Sequence, residues 1–155
     1  RSADFLSGFN PLMKIIRINS YDEKISKFLF NLRNKDYVRN NSINNKIINY
    51  QNHKNWLTKF LKKNILYIIT FNKQMAGYIR LKNNKSYKDC SWGILKKYQG
   101  KGLAVKGLNT STKKRSKYRA LIKINNIASK KVAKKANFEP KLVRNNIQYF
   151  YKNKK

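Results

Sequence analysis

Three β-rich runs in succession, separated only by short polar turns, constrain this chain more than any other feature. Ile65–Phe71 is dense in β-branched and aromatic residues. Asn72-Lys73-Gln74 breaks that run, and residues 75–82 return as a second strand, so the pair reads as a hairpin. Asn83-Asn84-Lys85 turns the chain again. Residues 89–95 then form a third strand, with Cys90, Trp92 and Ile94 on one face. A three-strand meander of this kind needs apolar faces to cover it.

The flanking segments supply them. Residues 13–18 have strand character, and Ser20-Tyr21-Asp22-Glu23 is a capping signal with Ser20 as N-cap and Glu23 three residues on. Ile25, Phe28, Leu29 and Leu32 come next at helical spacing. Residues 34–45 are polar and loop-like, with a short turn around Tyr37-Val38-Arg39. A second helix is expected over 50–63, where Trp56, Leu57, Phe60 and Leu61 form the apolar stripe and His53 lies one turn before Leu57. After the meander, Leu103, Val105 and Leu108 start a helix. Asn109-Thr110-Ser111-Thr112 form helix poorly, so it is expected to be short or irregular. A strand over 120–124, a helix over 126–136 and a hairpin of 138–143 with 147–151 around Asn145-Asn146 complete the chain. The expected order is β-α-α-β-β-β-α-β-α-β-β, with no repeat and no internal linker.

Length and composition narrow the classes. The chain has 155 residues, 41% hydrophobic and 13% aromatic, which suits one domain with one core. Its longest apolar run, Ile65–Phe71, falls well short of the roughly 20 residues of a membrane helix. One cysteine, Cys90, permits no internal disulfide and is compatible with a reducing, cytoplasmic setting. No signal-peptide pattern is visible. Residues 1–12 differ in character from the remainder of the chain. They are expected to be an added or disordered leader, with Met13 as the native start and 13–155 as a single domain. The net charge is +31, from 37 Lys and Arg against 6 Asp and Glu. That charge points to an anionic partner: nucleic acid, a membrane surface, an acidic carrier protein or a phosphorylated substrate. Alternatively it is compositional drift, since Lys, Asn, Ile, Tyr and Phe are all abundant and the basic residues are spread over the whole chain. The sequence lacks the clustered basic helix or aromatic platform of a nucleic-acid-binding module, so that partner is not favoured.

Tyr98-Gln99-Gly100-Lys101-Gly102-Leu103-Ala104 comes after the third strand of the meander and opens a helix. Two glycines let the main chain approach a ligand closely. Free N–H groups at a helix N-terminus, with no acidic residue beside them, favour an anion. The same stretch is also an ordinary glycine turn when taken alone.

With the element order around it, the chain resembles the GNAT superfamily of N-acetyltransferases over about residues 13–152. The family's phosphate motif, Gln/Arg-x-x-Gly-x-Gly/Ala, is met by Gln99, Gly102 and Ala104. Its downstream signal is met by Ala120-Leu121-Ile122, Asn126-Ile127-Ala128-Ser129 and Lys135-Ala136-Asn137-Phe138. Leu32-Arg33-Asn34, Val38-Arg39, Ile48 and His53 with Trp56-Leu57 resemble the spacing in members that acetylate nucleotide-linked amino sugars, including the pseudaminic-acid type. The resemblance implies an α/β (α+β) fold with a mixed, mostly antiparallel, twisted sheet of about seven strands. Strands four and five are splayed, and about four helices flank the sheet. It implies acetyl-CoA as cosubstrate and no metal. Ile94, Leu95 and Lys96 would pair with the pantetheine arm like an added strand. Gln99, Gly100, Lys101, Gly102, Leu103 and Ala104 would hold the pyrophosphate. Asn126 would contact the arm from the other side, with Ser129 assisting, and Asn126 also fits a helix N-cap.

The implied reaction is direct attack of a primary amine on the acetyl thioester, and a base or water chain must first take the ammonium proton. The acceptor is expected to be a small amine such as a nucleotide-linked amino sugar. A protein N-terminus or lysine is the alternative acceptor. A basic nucleic-acid-binding protein on the same scaffold is the alternative of another class. Ala133 stands where many members carry a tyrosine acid, and Leu121 where enzymes acting on ribosomal-protein N-termini often carry a glutamate. His53 and Asp89 remain as candidate catalytic groups. His53 is either the base or a packing residue. Asp89 either reaches the amine through water or balances nearby lysines. Cys90 reads as a buried structural thiol, and one His with one Cys makes no metal site.

Overall fold

A computed structural model describes residues 12–155. The expectation of a disordered leader falls almost wholly on residues 1–11, outside the described residues. Leu12 is described, and its carbonyl accepts the Asn72 N–H at 2.7 Å, continuing the pairing of the first two strands by one residue.

The strands are β1 Met13–Ile18, β2 Ile65–Phe71, β3 Gln74–Asn83, β4 Lys88–Ile94, β5 Ser116–Lys123, β6 Glu139–Arg144 and β7 Ile147–Lys154. The helices are α1 Glu23–Arg33, the single turn α2 Asp36–Arg39, α3 Tyr50–Lys63, α4 Leu103–Ser111 and α5 Ile127–Lys135. All seven strands form one sheet in the order β1-β2-β3-β4-β5-β7-β6. Every neighbouring pair is antiparallel except β4 with β5, which run parallel. The mixed, mostly antiparallel sheet and its flanking helices are as expected.

Alternation along the strands sends side chains to two cores. Leu66, Ile68 and Tyr78 pack with Leu29 and Leu32 of α1 and Leu57 and Phe60 of α3 on one face. Ile69, Ile79 and Leu81 pack with Leu103 and Leu108 of α4, Tyr118 and Phe150 on the other. The many asparagines serve the turns. Asn72 and Lys73 in the β2–β3 turn, and Asn145 and Asn146 in the β6–β7 turn, all take positive φ. Two-residue hairpin turns require that conformation, and Asn adopts it more readily than most residues. Asn137 (φ 69°) closes α5 in the same way, and the Phe138 N–H reaches back to the Ala133 carbonyl at 2.9 Å.

Two local expectations are corrected, the cap of α1 and the start of β5, and the expected short α4 is found. The cap of α1 is Asp22, whose carboxylate accepts the Ile25 N–H at 3.0 Å. Glu23 instead accepts hydroxyl bonds from Tyr21 and Tyr50. Helix α4 is short but regular, running through Asn109-Thr110-Ser111. Its packing outweighs propensity: Leu103 and Leu108 are buried, and Gly107 lies so close to Ile69 and Ile79 that a Cβ there would meet their side chains at 3.0–3.3 Å. Strand β5 begins four residues before the expected start, because Ser116-Lys117-Tyr118-Arg119 pair with β7 and bury only Tyr118. Among the described residues no helix is long and apolar enough to cross a membrane.

Candidate functional site

The parallel pairing of β4 with β5 is confined to Lys88–Tyr118 and Asp89–Arg119. Beyond it the two strands part, as expected of splayed strands, and leave main-chain groups of Cys90 to Ile94 and of Ala120 to Lys123 facing a gap. Into that gap opens a cleft of about 890 Å³. It runs from the glycine turn and the α4 N-terminus, past the free edges of β4 and β5, to α1, α2 and α3.

The pivot of the splay is an ion pair. Arg119 Nε and Nη2 bond Asp89 Oδ1 and Oδ2 at 2.7 and 3.1 Å, and Asn84 Nδ2 adds a third bond to the same carboxylate. The hydrogen bond to Asp89 raises the Arg119 pKa above its ordinary value. The Arg119 guanidinium also lies over the rings of Tyr87 and Tyr149, at 5.3 and 5.8 Å. Asp89, expected either to reach the amine through water or to balance nearby basic side chains, is paired here with Arg119. Its carboxylate is held at the closed end of the splay and does not line the cleft.

At the other end, Gly100 and Gly102 take φ of 83° and 75°. This left-handed region is cheap only for glycine. A Cβ built at either position would meet nothing within 4 Å, so the turn faces open space. Gly102 caps α4 without any side-chain bond, leaving first-turn N–H groups available. Of the proposed donor-site residues, Ile94, Lys96, Gln99, Gly100, Gly102, Leu103, Ala104, Asn126 and Ser129 line the cleft. Leu95 and Lys101 do not. Leu95 packs against the α1–α3 core, with its N–H on the Ala76 carbonyl at 2.8 Å, and Lys101 Nζ lies 5.3 Å from the Phe71 ring centroid. Asn126 faces them from the end of β5 and caps α5, accepting the Ser129 N–H at 3.2 Å. Ala133 is fully buried and presents no hydroxyl.

The inner end of the cleft is built by α1, α3, β3 and the strap formed by residues 40–49. Asn34 grips Ile48 at two points, donating to its carbonyl at 3.1 Å and accepting its N–H at 3.2 Å. Arg33 Nη2 donates to the Asn44 carbonyl, and Arg39 Nε to the Asn45 carbonyl at 3.2 Å. Arg33, Asn34, Arg39 and Ile48, read in the sequence as one spaced pattern, are thus the residues that hold the strap. His53 is 3% exposed, inside a ring cluster with Phe30, Tyr50 and Trp56. Burial depresses its pKa, a bond with the Ser26 main chain opposes that shift, and Arg80 reinforces it. The shift favours the neutral imidazole over the imidazolium. Its Nε2 and the Arg33 Nη1 are buried in this wall with no partner. Burial, together with Arg80 and Arg39, lowers the Arg33 pKa. Among the described residues lining the cleft, none is an Asp or Glu. Cys90 also lines it, but burial pushes its thiol up to about 12, so it is inert as a nucleophile.

Sequence reasoning missed Arg80, which lies between Trp56 and Tyr78 (5.1 and 5.3 Å from their ring centroids) and donates Nε to Ser91 Oγ at 3.0 Å. The available signal was a lone arginine in the apolar strand Gln74–Asn83, on the same face as Tyr78. Tyr78 itself and the short α2 side chain Tyr37 also line the cleft and were not singled out. Among the described residues no three His, Cys, Asp or Glu gather as a metal site would require.

In sequence alone the chain matches no family model and no curated protein. In structure it is similar to spermidine N-acetyltransferase from Vibrio cholerae, solved with CoA and spermine. That match has a TM-score of 0.77 and 12% identity, over 94% of this chain and 97% of the other. It is similar to the N-acetyltransferase PseH of Campylobacter jejuni, with a TM-score of 0.68 and 16% identity, over 94% of this chain and all of the other (100%). It is also similar to yncA of Salmonella typhimurium, solved with acetyl-CoA, with a TM-score of 0.70 and 15% identity, over 92% and 94% of the two chains. The fold is the GNAT fold.

Proposed function

We propose that this chain is an acyltransferase that moves an acetyl group from acetyl-CoA to a primary amine. The observation that carries the proposal is the free inner edge of β4, continuous with the Gly100–Gly102 turn at the α4 N-terminus. An extended pantetheine arm can pair with that edge, while the open turn and the helix end take the pyrophosphate. Ile94, Lys96, Gln99 to Ala104, Asn126 and Ser129 are the residues proposed for the donor, Lys101 through its main chain only. The three structural relatives are acetyltransferases by name or were solved with acetyl-CoA, which supports the same donor here.

For the acceptor, the geometry favours a small amine that also carries negative charge, most specifically a nucleotide-linked amino sugar. The inner wall offers Arg33 and Arg80, an unpartnered Arg33 Nη1 and an unpartnered His53 Nε2, with no carboxylate among the described lining residues. A polyamine would bring more positive charge to a wall that holds nothing to balance it. Phosphates would pair with the guanidiniums. In the reaction the amine nitrogen bonds to the acetyl carbon as the carbon–sulfur bond breaks, and CoA leaves as its thiolate, which takes its proton from solvent. The neutral His53 is the proposed acceptor of the amine proton, directly or through water. Such an enzyme would work in the cytoplasm as a soluble protein without metal.

The test is thermal unfolding with acetyl-CoA, followed by acetyl transfer to a panel of amines. Stabilisation by acetyl-CoA and selective acetylation of nucleotide-linked amino sugars over spermidine and over peptide amines is expected. Strong salt-dependent binding of duplex DNA with no response to acetyl-CoA would overturn the proposal. Acetylation of peptide N-termini or lysines alone would overturn the acceptor assignment.

A further inference from the structure

The free edge of β4 is not bare. The Leu95 N–H turns outward to the Ala76 carbonyl at 2.8 Å, so strand alternation persists to that point and leaves the Ile94 carbonyl and the Lys96 N–H facing the cleft. Both are capped by side chains. Gln99 Nε2 donates to the Ile94 carbonyl at 3.1 Å, and the Lys96 N–H donates to Tyr37 Oη at 3.0 Å. The Ile94 carbonyl at the end of β4 and the Lys96 N–H at the start of the 3-10 turn Lys96–Tyr98 are two residues apart and face the same side, as an added extended chain requires of its partner. The pantetheine arm, with two amides, is such a chain.

We infer that Tyr37 occupies, in the donor-free protein, the hydrogen-bonding place of a pantetheine amide carbonyl at Lys96, and that donor binding releases it. The inference rests on the acetyl-CoA reading. Tyr37 is carried by α2, a single turn with no fully buried residue, in which Tyr37 and Val38 pack only partly against the α1–α3 core. Helix α2 runs directly into the strap, whose Asn41, Ser42, Ile43 and Asn44 line the acceptor end. The strap in turn is held through main-chain carbonyls by Arg33, Arg39 and Lys123 Nζ, the last donating to the Asn40 carbonyl at 3.3 Å. One hydroxyl therefore links the donor edge to the acceptor wall. Its displacement makes donor binding precede formation of the final acceptor pocket.

The test uses CoA as the probe and Tyr37→Phe as the variant, which keeps the ring and removes only the hydroxyl. Calorimetry should show CoA binding threefold to tenfold tighter in the variant, roughly the worth of one displaced hydrogen bond. Hydrogen exchange of residues 36–49 should change in the wild type when CoA is added. The variant without CoA should already exchange at that CoA-bound rate. Normal wild-type binding with unchanged or weaker binding by Tyr37→Phe overturns this inference alone. Exchange in 36–49 that ignores CoA does the same. A wild-type protein that binds no CoA overturns the donor reading and this inference with it.

Discussion

Replacing Gly102 separates what the glycine turn does for the fold from what it does for a ligand. The residue sits at φ 75°, ψ 15°, and a Cβ there meets no heavy atom within 4 Å. Gly102→Ala therefore costs only the left-handed backbone penalty, about 1–2 kcal/mol. For a chain of this length that is a Tm loss of about 2–8 °C. Gly102→Glu carries the same backbone cost but places a carboxylate where the pyrophosphate is proposed to lie. Two unit charges about 4 Å apart at an effective dielectric of about 20 repel by about 4 kcal/mol, roughly a thousandfold in affinity. Both variants should thus unfold at similar temperatures, whereas CoA binding should fall modestly in Gly102→Ala and by at least tenfold more in Gly102→Glu. The gap should narrow as salt rises. Thermal unfolding and calorimetry with CoA, at low and at moderate salt, measure all of this. Equal CoA affinity in the Ala and Glu variants would refute the placement of the pyrophosphate.

Asp89→Asn should lower stability by about 1–3 kcal/mol, because it strips the partly buried Arg119 of its charged partner at the closed end of the splay. Any acetyl transfer per folded molecule should survive, and loss of turnover with unchanged stability would restore Asp89 as a chemical group. His53 is the one histidine, so stability changes between about pH 7.5 and 5.5 report chiefly on it. Burial lowers its folded pKa below the unfolded value. The unfolded chain therefore takes up the proton first. Stability is full above the unfolded pKa near 6.5 and is lost as pH falls from there through the folded pKa, by at most about 1.4 kcal/mol per pH unit. His53→Phe should flatten that profile in urea unfolding, and a profile as steep as wild type would count against the assignment.

Much of this was legible in the sequence because it depends on local patterning. The meander of residues 65–95 has strand composition and Asn-containing turns, and β2 and β3 form where that pattern places them. Helix α3 follows its apolar stripe to the residue, Tyr50–Lys63. The glycine turn was visible because only glycine serves its backbone conformation. The limits of β5 and the cap of α1 were less legible. Ser116 to Arg119 become strand through pairing with β7, and Asp22 competes with Ser20 at a position that either could cap.

Which residues meet across the cleft was decided by tertiary structure alone. Sequence shows a carboxylate at Asp89, near the fourth strand, but not Arg119 beside it, 30 residues away. Arg80 enters the site only because β3 aims it between Trp56 and Tyr78. Tyr37 meets the Lys96 N–H, 59 residues away, only because the fold brings α2 to the turn that follows β4. The sequence by itself determined the elements, the glycine turn and the excess of positive charge, since propensity, periodicity and composition act along the chain. The tertiary structure decided the splay, the ion pair that closes it and the unpartnered groups within it. Those depend on how far β4 and β5 stay paired, and two residue pairs set that limit.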